Sequence, residues 1–269
     1  MLSIIIVNYK TPEILKLCIR SLNDTVINTP YEIIVVDLET DPETEDMILD
    51  RFKNIKFLGV KDNLGYAKSV NLGIKKSSGD YVLILNPDIV TTKGSVDKML
   101  AHMKSQSKIG MMGPRLINFN GSMQYSAFRF YDILLLLLRR TFLGKLKFGK
   151  KKIAKFLLKD KNIETINHPQ KADWLMGSAM LVSKKALQKV GGMDEMFFMY
   201  FEDVDWSRRF WENGFEVIYF PQSIMYHYHR QASKKSGILN TFTNKMTREH
   251  LKSAYKYFKK YGLKNTHYV

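Results

Sequence analysis

Four short apolar segments alternate with amphipathic segments in the first hundred residues, and this alternation constrains the fold more than any other feature. The segments are rich in aliphatic residues with few polar interruptions, which is typical of strands buried on both faces. The segment after the first run begins with the helix-start signal Thr11-Pro12-Glu13. Strands and helices in alternation predict an α/β fold with a mostly parallel sheet between layers of helices. The predicted strands are 3–8, 32–37, 55–60 and 81–85, and later predicted helices are 42–52 and 65–76.

Four polar side chains fall at or just beyond the carboxyl ends of these strands. Ligands of open α/β sheets bind beyond those ends, so Asn8, Asp37, Asn63 and Asp88 are predicted to border one binding site. A carboxylate at position 88 suits a hard divalent cation that bridges two phosphates, because Mg²⁺ needs few protein ligands. The alternative is an ordinary aspartate in a turn after a proline.

The second half of the chain carries two further groups of polar residues. Glu202, Asp203 and Asp205 open a predicted helix, either as partners of the helix dipole or as a carboxylate cluster that makes a general base. His227 and His229 follow a predicted strand, as metal ligands or as structural histidines. The predicted elements are a strand at 174–182, a helix at 184–190, a helix ending at Asn213, a strand at 215–220 and a helix at 247–261.

The chain is strongly basic, with 42 Lys and Arg against 26 Asp and Glu and a net charge of +16, which favours polyanionic partners. Residues 129–161 combine an apolar run at 133–138 with many Lys and Arg. Such a segment contacts a bilayer interface or a partner helix, and the alternative is a core helix followed by a solvated basic face. The apolar run is far shorter than the ~20 residues of a spanning helix. We therefore expect a cytoplasmic protein with peripheral membrane contact.

Several classes of protein lose support from motifs that the sequence lacks. The single cysteine, Cys18, excludes an internal disulfide and favours a buried thiol, and the histidines and acids lack zinc-site spacing. Neither a P-loop nor a G-x-G-x-x-G motif occurs, so a phosphorylated ligand would need a metal ion and basic side chains. A nucleotidyltransferase would carry a glycine-rich basic loop after the first strand, and none is present. A nucleic-acid binder would interleave exposed aromatic and basic residues, whereas the aromatics here stand in apolar runs.

Five motifs occur in order along the chain. They are an opening strand at 3–11, N-x-G-(F/Y)-A…N-x-G at 63–73, the LNPD form of a D-x-D metal motif at 85–88, G-(A/S)-x-x-L-(I/V) at 177–182, and G-G-F-D-E-x-F-F…E-D-x-D at 191–205, with Met193 in place of its first Phe. Together they resemble glycosyltransferase family 2, and most closely its rhamnosyltransferase-like branch. The resemblance implies the GT-A fold with a basic amphipathic helical region added to it.

The resemblance also implies which residues bind the donor and a metal ion. Asp88 would hold Mg²⁺ or Mn²⁺ together with His227, and His229 is the alternative second ligand. Asn86 replaces the first acid of the metal motif, which removes one negative charge from the site. The residues that would bind a nucleotide-sugar donor are Asn8, Tyr9, Thr11, Asp37, Asn63, Gly65, Lys68 and Asn86.

On the acceptor side, the resemblance implies that Asp203 is the general base. It would take the proton of the acceptor hydroxyl in a single displacement that inverts the anomeric centre. Glu202 and Asp205 would support this base. Trp174 and Gly177 would border the acceptor, although core packing also explains the tryptophan.

The implied activity is the metal-dependent, inverting transfer of a sugar to a glycan of the cell envelope. The first candidate donor is dTDP-L-rhamnose, and the alternatives are a UDP-hexose or UDP-N-acetylhexosamine donor, or a non-catalytic binder of anionic polymers. We expect a lipid-linked acceptor and contact with the anionic inner face of the plasma membrane, without nucleic acid. The predicted division is a catalytic domain at 1–225, with a nucleotide-binding half at 1–115, the basic insert at 129–161 and an acceptor half at 170–225, followed by a metal-site loop and basic helix at 226–269.

Overall fold

The computed structural model describes residues 1–228, 244–263 and 267–269. The strands within these ranges are β1 Leu2–Tyr9, β2 Tyr31–Leu38, β3 Ile55–Val60, β4 Tyr81–Leu85, β5 Ile89–Thr91, β6 Ile109–Ile117, β7 Met123–Gln124, β8 Ala127–Phe128, β9 Gln170–Lys171, β10 Trp174–Leu175, β11 Ala179–Ser183 and β12 Glu216–His227. The α-helices are α1 Pro12–Thr25, α2 Pro42–Arg51, α3 Tyr66–Lys76, α4 Ser95–Ser105, α5 Ile133–Arg140, α6 Lys147–Phe156, α7 Lys184–Val190, α8 Glu202–Glu212 and α9 Lys245–Tyr261.

A single large sheet forms the middle layer, and its main path runs β3-β2-β1-β4-β11-β6-β12-β5. The first four strands of this path are parallel, and β11 runs antiparallel to both β4 and β6. Strand β12 is parallel to β6, and β5 joins its outer edge in the antiparallel sense. The carboxyl ends of β1, β2 and β4 therefore meet at one edge, as the sequence predicts.

Alternate residues of β1 enter two separate cores, because successive side chains of a strand point to opposite faces. Ile4 and Ile6 pack with apolar residues of α1 and α4, and the buried Cys18 belongs to this core. Ile5 and Val7 pack with residues of α3 and α8 on the other face. The prediction of a sheet covered on both faces is confirmed.

Two predicted strands differ from the structure. The strand predicted at 174–182 is divided into β10 and β11, which belong to different sheets. The cause is the segment between them, where the backbone amide of Met176 donates to Ser126 and that of Gly177 donates to a carboxylate of α8. The strand predicted at 215–220 continues to His227 through a register shift between Phe220 and Ile224.

The basic segment 129–161 folds into α5 and α6, which are joined by a 3-10 turn at Phe142–Lys145. With α9 it surrounds a third, aromatic-rich core that contains Tyr131, Phe156 and Trp174. Other apolar side chains of the segment point outward and are at least two-fifths exposed: Ile133, Leu134, Leu137, Phe142, Leu146 and Phe148. No helix in the described ranges combines the length and the apolar character that crossing a bilayer requires.

Candidate active site

Two pockets adjoin at the carboxyl edge of the sheet. The strand-end pocket, about 400 Å³, is bordered by Tyr9, Thr11, Asn63 and Asp88 among others. The aromatic pocket, about 370 Å³, has a wall of aromatic side chains beside two carboxylates. The residues that border both pockets are Tyr66, Asn86 and Met199. A group held in one pocket therefore faces a group held in the other.

The polar residues predicted at the ends of β1 and β2 form a hydrogen-bonded chain below the strand-end pocket. The Asn8 side-chain amide donates to Asp37 Oδ1 at 2.6 Å, and Thr11 Oγ1 donates to Asn8 Oδ1 at 2.6 Å. Asn8 and Asp37 are fully or almost fully buried. Burial raises the pKa of Asp37, because desolvation penalises its charged form. Of these three residues, Thr11 borders the pocket, and the hydrogen bonds through Asn8 to Asp37 fix the orientation of the Thr11 side chain.

The turn before α3 forms the opposite side of the strand-end pocket. Asn63 Oδ1 accepts a hydrogen bond from the Gly65 amide at 3.0 Å, and Gly65 has a φ of +80°. A Cβ at Gly65 would stand 2.5 Å from the carbonyl oxygen of Phe198, so a side chain would collide with backbone. Lys68 is exposed on α3 and does not border either pocket. The structure therefore gives Lys68 no place beside the other predicted donor residues.

Asp88 and His227 come together where the two pockets adjoin, as the resemblance implies: Asp88 borders the strand-end pocket and His227 borders the aromatic pocket. Asp88 Oδ1 lies 3.2 Å from His227 Nε2, and His227 Nδ1 lies 2.7 Å from Gln124 Oε1. The hydrogen bond to Gln124 orients the His227 ring so that Nε2 faces the Asp88 carboxylate. A carboxylate oxygen and an imidazole nitrogen that face each other could both ligate a divalent cation, and this pair of ligands suits Mn²⁺ or Mg²⁺.

The protein supplies only part of a full coordination shell. In the described ranges, no group of three or more His, Cys, Asp or Glu residues could hold a metal ion. The remaining ligands would come from phosphate oxygens and water, which is common for Mg²⁺ sites beside a nucleotide. Asn86 lies at the boundary between the pockets, and its backbone amide donates to the carbonyl oxygen of Ser178. His229 lies outside the described residues.

Asp203 lies at the wall of the aromatic pocket, at the start of α8. Its Oδ2 accepts a hydrogen bond from the Gly177 amide at 2.9 Å, and its Oδ1 accepts one from the Val204 amide at 2.9 Å. Burial outweighs these hydrogen bonds and raises the pKa of Asp203 to about 6. Such a carboxylate is mostly ionised at neutral pH and is still a useful proton acceptor, which suits a general base.

The other two acids of the motif lie in different environments. Glu202 is buried at the aromatic pocket, and in the described ranges its Oε2 has no hydrogen-bond partner. Burial, and then the charge of Asp203, raise the pKa of Glu202 well above its usual value. Asp205 does not border the pocket; it is fully buried and bonded to Arg209 at 2.8 Å and to Lys260 at 2.6 Å. The prediction of a single cluster of three carboxylates is therefore wrong for Asp205, which ties α8 to α9.

A strained backbone precedes the two pocket carboxylates. Tyr200 has a φ of 69° and Phe201 a φ of 67°. This left-handed conformation is costly for aromatic residues. The turn is fixed from two sides: Ser253 Oγ donates to the carbonyl oxygen of Met199, and the Tyr66 amide donates to that of Phe198. Strain of this kind persists only where the surroundings enforce it, and here it sets the direction in which α8 begins.

The aromatic pocket also contains residues that the sequence does not predict. Tyr131 and Trp174 stack at 5.6 Å between ring centroids, and both border the pocket. Trp174 also stacks on Phe128 at 4.4 Å and is 6% exposed, so the alternative of core packing holds, and its contact with an acceptor stays a prediction. His250 of α9 reaches the same pocket. Residues that the sequence does not predict include Tyr66 and Met199, which border both pockets, Tyr131 and His250 at the aromatic pocket, and Gln124 beside His227. Of these, Tyr66 lies at a defined position of a motif.

The sheet topology and its flanking helices are those of the GT-A fold. Residues 3–191 match the family described as Glycosyl transferase family 2, and residues 160–232 match the N-terminal domain of galactosyltransferase. The chain belongs to glycosyl transferase family 2.

Relatives with assigned activities include two rhamnosyltransferases. The chain is 29% identical to the N-acetylglucosaminyl-diphospho-decaprenol L-rhamnosyltransferase of Mycobacterium tuberculosis, over 74% of this chain and 67% of that protein. It is 27% identical to rhamnosyltransferase WbbL of Escherichia coli, over 96% of this chain and 92% of the relative. Among solved structures, GalNAc-T7 with UDP, GalNAc and Mn²⁺ superimposes with a TM-score of 0.64 at 16% identity. That alignment covers 86% of this chain and 44% of the solved chain, and shows a common fold.

Proposed function

We propose that this glycosyltransferase transfers a sugar, with inversion, from a nucleotide-diphosphate donor to a glycan acceptor on a lipid diphosphate, in cell-envelope polysaccharide synthesis. The observation that carries the proposal is the junction of the two pockets. Asp88 borders the strand-end pocket, His227 and Asp203 border the aromatic pocket, and Asp88 Oδ1 lies 3.2 Å from His227 Nε2 where the pockets adjoin. The donor would occupy the strand-end pocket, and the acceptor sugar would occupy the aromatic pocket.

The arrangement of acids supports a single displacement. Asp203 would take the proton of the acceptor hydroxyl while that oxygen attacks the anomeric carbon from the face opposite the leaving group. A double displacement would need a nucleophilic carboxylate on the donor side. Among the described residues that border the strand-end pocket, Asp88 is the acid, and it is the proposed metal ligand. Asp88 and His227 would hold Mg²⁺ or Mn²⁺, which when bound neutralises the charge that develops on the departing nucleoside diphosphate.

The first candidate donor is dTDP-L-rhamnose, because two relatives are named as rhamnosyltransferases. The lipid-diphosphate acceptor follows from the name of the mycobacterial relative. The exposed apolar side chains of 133–148 are interleaved with lysines, a surface that complements an anionic bilayer. We propose peripheral contact of this surface with the inner face of the plasma membrane, which would bring the aromatic pocket to a membrane-held acceptor.

A donor screen tests the proposal. A nucleotide sugar that binds the native state raises the thermal midpoint by mass action. We expect dTDP-L-rhamnose with Mn²⁺ to raise it more than UDP-glucose or UDP-N-acetylglucosamine, and we expect Asp88→Asn to reduce the Mn²⁺-dependent part of the shift. A larger shift with a UDP-sugar would reassign the donor. No shift with any nucleotide sugar would contradict the transferase activity, and anomeric analysis of the product by NMR tests inversion.

A further inference from the structure

Two adjacent arginines lie at the rim of the aromatic pocket and have no role in the chemistry proposed above. Arg139 and Arg140 end helix α5, and both are exposed. Arg139 Nη1 donates to the hydroxyl of Tyr131 at 2.7 Å, and Arg140 Nη2 lies 3.0 Å from His250 Nδ1. Tyr131 and His250 both border the pocket. The two guanidinium groups are therefore attached to its rim by hydrogen bonds.

These arginines lack acidic partners. In the described ranges no carboxylate lies within ion-pair distance of Arg139 or Arg140, although other arginines of the chain, such as Arg129 and Arg209, are paired. Burial and the charges of Arg140 and Arg139 lower the pKa of His250 to about 4, so this ring is neutral at physiological pH. The pair thus forms an uncompensated positive site, and planar guanidinium groups bind phosphate oxygens in a bidentate manner.

The arginines continue a stripe of exposed apolar side chains along α5. Ile133, Leu137 and Arg140 follow one another at spacings of four and three residues, so they share one face of the helix. Ile133 is 40% exposed and Leu137 is 53% exposed. The stripe therefore changes from apolar at the start of α5 to cationic at its end, where Arg140 contacts the pocket residue His250. These surfaces match an amphiphilic ligand: its apolar chain would lie along α5, its charged group at the arginines, and its sugar in the aromatic pocket.

We propose that Arg139 and Arg140 bind the diphosphate group of a lipid-diphosphate-linked acceptor, with its first isoprenoid units along the apolar stripe of α5. The inference deepens the proposed function and rests on it for the acceptor. The arginines would then be the residues that distinguish a lipid-diphosphate sugar from the same sugar without a diphosphate. Phosphate chemistry of this kind is also offered by membrane headgroups and by free pyrophosphate, so the test separates the three.

The probe is farnesyl diphosphate, and its binding is followed through the fluorescence of Trp174 and the other tryptophans. The measurement is made in EDTA, so that a divalent cation at the proposed Asp88–His227 site cannot bind the diphosphate of the probe. We expect the wild type to bind farnesyl diphosphate at least tenfold more tightly than farnesol or pyrophosphate. The pair Arg139→Gln and Arg140→Gln should weaken farnesyl diphosphate binding at least tenfold. The matched control, Lys150→Gln with Lys151→Gln, removes the same charge from the exposed side of α6 and should change it less than twofold.

Several results would overturn the inference. Equal weakening by both pairs would mean that general charge, and not the rim, attracts the probe. Equal affinity for farnesyl diphosphate and farnesol would show that the diphosphate is not recognised. Equal affinity for farnesyl diphosphate and pyrophosphate would show that the isoprenoid chain is not recognised. If the arginine pair lost binding to phosphatidylserine vesicles but kept the probe, the site would be a headgroup contact.

Two controls keep the outcome readable. Arg139 packs over the rings of Tyr131 and Phe156, so its replacement disturbs the third core. Arg140→Gln alone, which spares those contacts, should still weaken the probe severalfold, and an unchanged affinity in this correctly folded variant would count against the inference. Failure of the proposed transferase activity would appear separately, as a wild type that binds no nucleotide sugar in the donor screen.

Discussion

Replacement of Asp203 by asparagine tests two effects of the proposed general base: its cost to the stability of the fold and its contribution to the rate of transfer. The pKa of this carboxyl is raised from 3.8 to about 6 because folding desolvates it. A rise of about two units corresponds to about 3 kcal/mol of differential free energy between the two protonation states. The side chain is only partly buried, and solvent in the pocket screens part of this difference. After this discount for screening, we expect a difference of about 1 to about 2 kcal/mol.

The sign follows from proton linkage. A folded-state pKa above the unfolded value means that the native state holds its proton more tightly, so the wild type loses stability as the pH rises from about 4 to about 7. The asparagine variant cannot ionise at this position, so it does not lose this part of its free energy of unfolding as the pH rises. Its own altered hydrogen bonds to Gly177 and Val204 add an offset that does not depend on pH. The prediction is therefore that Asp203→Asn gains about 1 to about 2 kcal/mol relative to the wild type between about pH 4.5 and about pH 8.

Urea unfolding at the two pH values measures this difference. The same variant should retain nucleotide-sugar binding while the rate of transfer falls by about 10²–10⁴, the range for loss of a general base. The wild-type rate should rise through a pH of about 6 and then level off. A difference in stability that is the same at both pH values would refute the desolvated carboxylate, and undiminished transfer would refute its role as base.

Three further predictions concern residues around the pockets. Asp205→Asn should lower the free energy of unfolding by about 3 kcal/mol in a urea titration, because Lys260 and Arg209 lose a buried charged partner; a change below about 1 kcal/mol would contradict this. Gly65→Ala should lower the free energy of unfolding by about 1 to about 3 kcal/mol, because φ is positive at this residue and a Cβ would collide with Phe198. An unchanged midpoint of thermal unfolding would contradict this prediction. Gln124→Leu should raise the Mn²⁺ concentration for half-maximal activity about tenfold or more, because His227 loses the hydrogen-bond partner that orients it. An unchanged dependence on Mn²⁺ would count against His227 as a metal ligand.

The sheet could be predicted from sequence because its signal is local. Tyr81–Leu85 is a continuous apolar run, Ile55–Val60 is apolar except for Lys56, and the structure gives both strands the predicted bounds. Once the strands are predicted to be parallel, the polar residues at the carboxyl ends of β1, β2 and β4 are expected at one edge of the sheet, and no other signal is needed. The division of the strand predicted at 174–182 had no such signal, because its cause is a hydrogen bond from Gly177 to Asp203 in a later helix.

The aromatic wall of the pocket beside Asp203 is the part of the candidate site that the sequence could predict least. Tyr131, Trp174 and His250 come from three segments separated by dozens of residues, and nothing in their local patterns indicates that they meet. The error at Asp205 was avoidable, in contrast. Residues two apart on a helix of about 3.6 residues per turn differ by roughly 200° in direction. Asp203 and Asp205 therefore point to opposite sides of α8, and only one of them reaches the pocket.

Hydrogen bonds around Tyr66 explain why two motifs more than a hundred residues apart act at one place. The Tyr66 hydroxyl donates to the carbonyl oxygen of Gly177 at 2.6 Å, and the Gly177 amide donates to Asp203. The Tyr66 amide donates to the carbonyl oxygen of Phe198, in the strained turn that directs α8. Since Tyr66 also borders the strand-end pocket, one side chain lines that pocket while it fixes the peptide that holds Asp203. The position of the proposed base is therefore tied to the strand-end pocket, so the distance between the two pockets is defined by the fold before any ligand binds.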